Sequence, residues 1–413
     1  MVEIHGTCAT RFDEVRAALA SLLETADVGG SAAVYVDGEP LVDLWGGHVD
    51  EARTVEWERD TITNVWSTTK TMTALCALIL ADRGELDLAA PVAAYWPEFA
   101  AAGKERVRVR HLLSHTAGLP SWDEPMTAED LYDWEGAVRR LAAQAPRWEP
   151  GADAGYHVVT QGFLVGEVVR RVTGRSLGAF FAEEVAGPLG ADFHIGLAAE
   201  HDHRVAPVIA PEAPDGPAVP PRAHEIANPL LPPTAANGTA WRRAEIPAGN
   251  GHGNARSVAL AQSALACGGT VRGVRLLSPA GCERALEEQF DGVDRYLDMR
   301  MRYGMGYALY GGAPGGPRAC FWGGMDGSIA WIDFDARMVV SYVTNQVRNP
   351  GAPAATGAWR SCWPPTGRVA AAARVPHPGP VIRPPSLTAC LQAVCKRRRR
   401  RCFPPRASCR PAR

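Results

Sequence analysis

The sequence predicts an α+β fold, because strand patterns occur near both ends of the chain and helical patterns fill the region between them. Residues 31–47 and residues 319–346 contain short apolar runs rich in β-branched residues. From Asp87 to about Gly190, apolar residues recur at helical spacing, with breaks at prolines and glycines. We therefore expect an antiparallel sheet, completed by distant parts of the chain and flanked by helices.

The first strands are predicted to form a hairpin. In SAAVYVDGEPLVDLWGG, residues 31–47, the dipeptide Asp37-Gly38 separates two apolar runs. This dipeptide tolerates the positive φ angles of a tight turn, so the two runs can pair directly.

A buried helix is predicted over residues 67–83. Their sequence, STTKTMTALCALILADR, is apolar on nearly all sides and is followed by Gly84. A helix without a polar face belongs in a protein interior. Glycine readily adopts the left-handed conformation that ends many helices, so Gly84 marks the C-terminus of this one.

These patterns suggest one domain over residues 1–350. We place its α/β part at about 1–86 and 250–350, and a mostly α-helical subdomain at about 87–249. Within the subdomain, residues 206–234 contain nine prolines, which indicates an extended connection rather than a packed helix or strand.

The tail at residues 351–413 differs in composition from the rest of the chain. It carries 13 Lys and Arg residues and no Asp or Glu, whereas the whole chain has a formal net charge of −2. We predict that this Pro/Arg/Cys-rich tail is disordered and could bind polyanions non-specifically. Two alternatives stay open: out-of-frame translation of a GC-rich coding sequence, or a closing helix at LTACLQAVCK.

Several protein classes are disfavoured by simple patterns. The N-terminus lacks a signal-peptide pattern, and no run of about 18 apolar residues is present, so we expect a cytoplasmic protein with no membrane partner. The ten cysteines follow neither disulfide-scaffold nor zinc spacing. We predict no metal, no cofactor and no specific nucleic-acid partner. The sequence does not indicate the oligomeric state.

The pair Ser67 and Lys70 is the first candidate for chemistry. Helical residues three apart share a face, so the hydroxyl and the amine would lie side by side at the first turn of the buried helix. A lysine whose pKa is lowered can deprotonate a serine nucleophile. The alternative is that Ser67 only caps the helix and Lys70 is exposed.

Further motifs follow in order. They are HLLSHTAGLP at 111–120, EPGADAGYHVVTQG at 149–162 and FWGGMDGS at 321–328. With the S-x-x-K pair, the sequence resembles the serine β-lactamase-like superfamily over residues 14–346. It is most similar to the family VIII carboxylesterases, which resemble class C β-lactamases. The resemblance implies a β-lactamase/DD-peptidase-like fold.

The resemblance also implies roles for individual residues. Ser67 would be acylated, Lys70 would help to deprotonate it, and Tyr156 would share the proton as a partial phenolate and return it to the leaving group. Trp322, Gly323 and Gly324 would stand where lactamases carry Lys-Thr-Gly or His-Thr-Gly. The backbone N–H groups of Ser67 and Met325 would form the oxyanion hole. The alternative for Tyr156 is a packed aromatic residue before a helix.

Two departures from the lactamase pattern bear on the substrate. Val158 stands where lactamases carry an asparagine, and Trp322 offers no positive charge to a lactam carboxylate. We therefore predict a carboxylesterase that cleaves small-molecule esters with short acyl chains. Alternatives are β-lactam hydrolysis, D-alanyl peptide hydrolysis, acyl transfer, or a catalytically silent scaffold.

Three other motifs also suggest functional sites, but their patterns are weaker than the S-x-x-K pattern. GRSLG matches the nucleophile elbow of α/β-hydrolases, but Ser176 follows a helical pattern rather than a strand, so we expect it to cap the next helix. EHDHR at 200–204 is interpreted as a solvated loop rather than a metal site. The loop AGNGHGNARS at 248–257 is expected near the cleft, with His252 as a weak candidate for lining it.

Overall fold

The main feature of the computed structural model is an antiparallel sheet. The structure describes residues 2–210, 227–310 and 316–347, and within these ranges the sheet has nine strands. They are β1 Ile4–Cys8, β2 Gly29–Val36, β3 Glu39–Gly47, β8 Phe290–Val293, β9 Arg300–Tyr303, β10 Ala308–Tyr310, β11 Ala319–Gly323, β12 Ile329–Asp333 and β13 Met338–Thr344. Their order across the sheet is β1-β3-β2-β13-β12-β11-β10-β9-β8. Two small pairs lie outside it: β4 Thr63–Asn64 with β5 His252–Gly253, and β6 Thr270–Val271 with β7 Val274–Arg275.

Helices occupy much of the remaining described chain. The α-helices are α1 Asp13–Thr25, α2 Thr69–Asp82, α3 Val109–Leu113, α4 Trp134–Ala143, α5 Thr160–Thr173, α6 Leu177–Phe181, α7 Gly187–Leu189, α8 Thr239–Arg243, α9 Ala255–Ala266 and α10 Pro279–Glu283. Short 3-10 segments lie at Thr10–Phe12, Trp66–Thr68, Val92–Ala94, Pro97–Gly103, Glu129–Leu131, Ala199–Arg204, Pro233–Asn237 and Arg284–Leu286, and one π-helical turn at Ala182–Ala186. None of these helices is long and apolar enough to cross a membrane.

Distant parts of the chain complete the sheet. Strand β13 pairs with β2 in antiparallel register from Met338 opposite Val36 to Thr344 opposite Gly30. The last described strand therefore joins the hairpin near the N-terminus. The predicted α+β class, with an antiparallel sheet and flanking helices, is confirmed.

The predicted hairpin is present as β2 and β3, which pair along their length. Asp37 and Gly38 have φ angles of 53° and 81°, as the turn requires. Strand β1, which pairs with β3, was not predicted from the sequence. Its five residues, IHGTC, are only partly buried and lack an alternating apolar pattern.

Helix α2 is the predicted buried helix. Every residue from Thr69 to Ala81 is buried, and Gly84 follows with a φ of 74°. The helix packs against α5 and α6 on one side and against α9 and α10 elsewhere, while α9 itself packs on β2, β12 and β13. Helix α2 therefore lies between the sheet with its covering helix and the helical region.

The predicted extended connection at residues 206–234 is described in part. Its residues 206–210 and 227–232 form no helix, and a 3-10 turn begins at Pro233. The basic tail at 351–413, with its alternatives, lies outside the described residues. The division of residues 1–350 into an α/β part and a helical part stays a prediction.

We expect Leu78→Ala to lower the free energy of unfolding by about 2–5 kcal/mol, because it removes buried methyl groups and leaves a cavity. Leu78 is fully buried in α2. Glu85→Ala, at an exposed position just beyond the helix, should change it by less than about 0.5 kcal/mol. Urea denaturation measures both values, and equal effects would contradict the buried position of Leu78.

Candidate active site

Ser67 lies in the 3-10 turn Trp66–Thr68 that precedes α2, and its side chain is half-buried. The Thr69 hydroxyl donates to the carbonyl of Trp66, and the Val65 N–H donates to the carbonyl of Gly251. Trp66 has a φ of 46°, a conformation that is unusual for a bulky side chain. Thr68, not Ser67, stands at the N-cap position of α2, and Lys70 is buried, so the alternative of a capping serine with an exposed lysine is wrong.

Lys70 is buried, with 1% of its surface exposed. Its Nζ lies 2.7 Å from the carbonyl oxygen of Val158, 2.9 Å from that of Ala248 and 3.1 Å from Ser67 Oγ. Within the described chain, no carboxylate forms an ion pair with it. Burial lowers the pKa of Lys70 well below its usual value.

The three contacts of Lys70 can be made by an ammonium that donates to all three partners, and also by the neutral amine that burial favours. A neutral amine has two N–H groups and one lone pair, so the two carbonyls can accept its protons while the lone pair points toward Ser67 Oγ. This geometry allows Lys70 to accept a proton from the serine hydroxyl.

Tyr156 lies just before α5, and its Oη donates to Ser67 Oγ at 2.7 Å. The Nζ of Lys70 lies 5.0 Å from the centre of the tyrosine ring. Burial raises the pKa of Tyr156 above its usual value, although hydrogen bonds with Ser67 and Trp322 act in the opposite direction. The expected partial phenolate is therefore not favoured in the free site, because the ammonium that would stabilise it is itself disfavoured by burial.

The segment that contains Trp322 lies at the end of strand β11, beside Tyr156. Trp322 and Gly323 end strand β11, and the indole ring of Trp322 lies 5.6 Å from the ring of Tyr156. After β11 the chain turns, with the Gly324 N–H donating to the carbonyl of Ser328 at 2.8 Å. The structure thus brings Trp322 beside the serine, lysine and tyrosine cluster.

Ser328 connects this turn to the segment that carries Ser67. Its hydroxyl oxygen lies 2.9 Å from the carbonyl oxygen of Val65, 2.9 Å from Thr68 Oγ1 and 2.7 Å from Asp326 Oδ1. A Cβ added at Gly324 would lie 2.4–2.5 Å from atoms of Val65, Asp326 and Ser328. Only glycine fits this close approach. The proposed oxyanion hole of the Ser67 and Met325 N–H groups stays a prediction.

The competing motifs have structural explanations. Ser176 caps α6 by accepting from the Ala179 N–H, as predicted, and its hydroxyl donates to Glu245. It follows helix α5 rather than a strand, so the nucleophile-elbow interpretation is not supported.

EHDHR forms a 3-10 segment in which Asp202 pairs with Arg242 and Arg243. No three His, Cys, Asp or Glu side chains of the described ranges gather as metal ligands would. His252 is fully buried in β5, in the loop that also supplies the Ala248 carbonyl to Lys70.

Some residues that shape the site gave no signal in the sequence. The carbonyls of Val158 and Ala248 hold Lys70, and every residue type carries such a carbonyl. Ser328 could have been noticed as a polar residue beside the Trp-Gly-Gly motif, but its contact with Val65 spans 263 positions.

The fold and the serine, lysine and tyrosine cluster together define the class: a protein of the β-lactamase/DD-peptidase fold. The chain belongs to the β-lactamase family, whose model matches residues 15–361. The esterase/β-lactamase LipL of Mycobacterium tuberculosis is 37% identical over 367 residues, which is 84% of each chain.

Solved structures agree with this assignment. A family VIII carboxylesterase has a TM-score of 0.82 and 42% identity, covering 90% of this chain and 99% of its own. A penicillin-binding protein homologue from Caulobacter crescentus has a TM-score of 0.81 and 35% identity, with the same coverage. The resemblance inferred from the motifs is confirmed.

The charge state of Lys70 can be tested through the pH dependence of stability. The folded chain favours the neutral amine, whereas the unfolded chain binds a proton up to a pH of about 10.4. Unfolding therefore takes up a proton, and stability rises with pH between the lowered folded pKa and that value.

We expect the free energy of unfolding of the wild-type chain, relative to Lys70→Met, to rise by up to about 1.4 kcal/mol per pH unit in this window. Urea denaturation at pH 7, 8 and 9 measures the difference. Ser67→Ala is the control, because it keeps the lysine and should keep the wild-type slope. If the free energy of unfolding changes with pH equally in the wild type and in Lys70→Met, the amine stays charged in the folded chain.

Proposed function

We propose that this chain is a serine hydrolase that cleaves short-chain carboxylic esters through an acyl-enzyme on Ser67. One observation carries the proposal: Ser67 Oγ lies within hydrogen-bonding reach of both Lys70 Nζ, at 3.1 Å, and Tyr156 Oη, at 2.7 Å. One hydroxyl is thereby served by a base with a lowered pKa and by a proton donor.

In acylation, Lys70 is the general base. Its lone pair takes the proton from Ser67 as Oγ attacks the ester carbonyl carbon, and the resulting ammonium can donate to Ser67 Oγ and to the two carbonyls of Val158 and Ala248. The negative charge that develops on the ester oxygen would be stabilised by the N–H groups of Ser67 and Met325.

In the second half of acylation, Tyr156 is the general acid. It gives its phenolic proton to the departing alkoxide, and the phenolate recovers a proton from the nearby ammonium of Lys70. Water then attacks the acyl-enzyme, and the lysine amine and the tyrosine again carry its protons. The overall change is ester plus water to carboxylic acid plus alcohol.

Two side chains support esters as the preferred substrate. The Val158 side chain cannot form hydrogen bonds with the amide group of a lactam, and Trp322 presents a buried, uncharged indole beside Tyr156. The names of the relatives agree: one solved structure is a family VIII carboxylesterase, and LipL is called an esterase/β-lactamase. The LipL name makes β-lactam hydrolysis the second candidate.

The nucleophile is tested by labelling with a fluorophosphonate, followed by intact-mass measurement and peptide mapping. We expect one adduct, on Ser67. Ser67→Ala should abolish both labelling and ester hydrolysis, whereas Ser176→Ala should keep most of both, because its hydroxyl is bound to Glu245. Labelling of Ser176, or activity in Ser67→Ala, would refute the proposed nucleophile.

Substrate class is tested by comparing kcat/KM for a p-nitrophenyl short-chain ester and for nitrocefin on the same preparation. We expect the ester to be the better substrate by at least about tenfold, since two polar anchors for lactams are missing. Val158→Asn introduces one of these anchors and should lower the ratio of kcat/KM for the ester to kcat/KM for nitrocefin. A higher value for nitrocefin in the wild type would identify a lactamase.

A further inference from the structure

The motif HLLSHTAGLP has no role in the proposed reaction, yet its histidine His115 packs against Tyr156. His115, in its centre, is buried with 2% of its surface exposed. Its φ is 60°, in the left-handed region that few non-glycine residues adopt. A buried histidine held in this conformation requires a structural or functional reason.

His115 binds the backbone on both sides of Tyr156. Its carbonyl accepts from the Gly155 N–H at 3.1 Å, and its ring atom Nδ1 accepts from the His157 N–H at 3.2 Å. Because Nδ1 is the acceptor, the neutral ring carries its proton on Nε2. Burial lowers the pKa of His115 well below its usual value, which keeps this neutral form.

The His115 ring also contacts Tyr156 itself. The ring centres lie 5.1 Å apart at 74°, an edge-to-face geometry that fixes the orientation of the phenol ring. The same imidazole lies 5.2 Å from the ring of Trp322 and 5.1 Å from that of Tyr303. It therefore fills the space enclosed by three aromatic side chains.

Asp294 completes the support. Its Oδ1 accepts from the Tyr156 N–H at 3.3 Å, and its Oδ2 accepts from the hydroxyl of Tyr303 at 2.8 Å. Tyr303 packs in turn on His115, so the contacts form a closed ring through His115, Tyr156, Asp294 and Tyr303. All four side chains are buried.

We propose that His115 is a positioning residue for Tyr156: with Asp294 and Tyr303, it holds the phenol hydroxyl within hydrogen-bonding distance of Ser67. This inference rests on the proposed function, in which that hydroxyl carries a proton. Displacement of a reacting group by about 1 Å can cost about a hundredfold in rate. Because the His115 ring packs on the Tyr156 ring and binds the neighbouring backbone, we expect its replacement to act on the proton donor.

Two replacements separate the contributions of the His115 side chain. His115→Asn keeps an acceptor for the His157 N–H and tolerates the left-handed backbone, but it removes the ring. His115→Phe keeps a ring and removes the acceptor. We expect each to lower kcat for the ester by about tenfold or more, with KM changed by less than about twofold.

The decisive measurement is a double-mutant cycle with Tyr156→Phe, which removes only the phenol hydroxyl. The value of kcat/KM for an alkyl ester, whose departing alkoxide takes the Tyr156 proton, can be measured by titration of the released acid even in slow variants. If His115 acts through the hydroxyl, its replacement should lower this value by about tenfold in the wild-type background and by less than about twofold in the Tyr156→Phe background. Leu19→Ala, in the buried face of α1, is the control for general destabilisation and should have the same small effect in both backgrounds.

The possible outcomes are distinguishable. Equal losses in both backgrounds, no loss in the wild-type background, or full activity of Tyr156→Phe would each overturn the positioning role. Thermal unfolding shows whether His115→Asn and His115→Phe are folded, and the double-mutant cycle is measured with a variant that is. Failure of the proposed function appears separately, as labelling or hydrolysis that survives in Ser67→Ala.

Discussion

The burial of one amine is the constraint on which the rest of the site depends. Lys70 has almost no contact with solvent, and two backbone carbonyls and one hydroxyl are its hydrogen-bonding partners. A charged ammonium loses much of its hydration in such a place, so the neutral base is favoured. Helix α2 makes this burial possible, because all its residues from Thr69 to Ala81 are buried and four other helices pack on it.

Three distant segments must meet around that amine. The start of α2 brings Ser67, the loop before α5 brings Tyr156, and the end of strand β11 brings Trp322. Ser328 ties the β11–β12 turn to Val65, and Gly251 is tied to the start of α2 through Thr69. The alignment of the site is thus set by contacts between segments rather than by any single element.

Three features of the site destabilise the folded chain, as is common at functional sites. A buried lysine, a tryptophan with positive φ before the serine and a histidine with positive φ behind the tyrosine each carry a cost. They persist because the surrounding packing fixes them.

The sequence by itself determined the features that are encoded locally. Apolar period and turn residues predicted the β2–β3 hairpin, the buried helix α2 and the cap at Ser176, and the three-residue spacing placed Ser67 beside Lys70. Tertiary structure alone decided that strand β1 joins the sheet, that Lys70 binds the carbonyls of Val158 and Ala248, and that His115 packs on Tyr156. A backbone carbonyl is the same in every residue, and contacts between residues far apart in the chain leave no local periodicity, so no sequence pattern could reveal them.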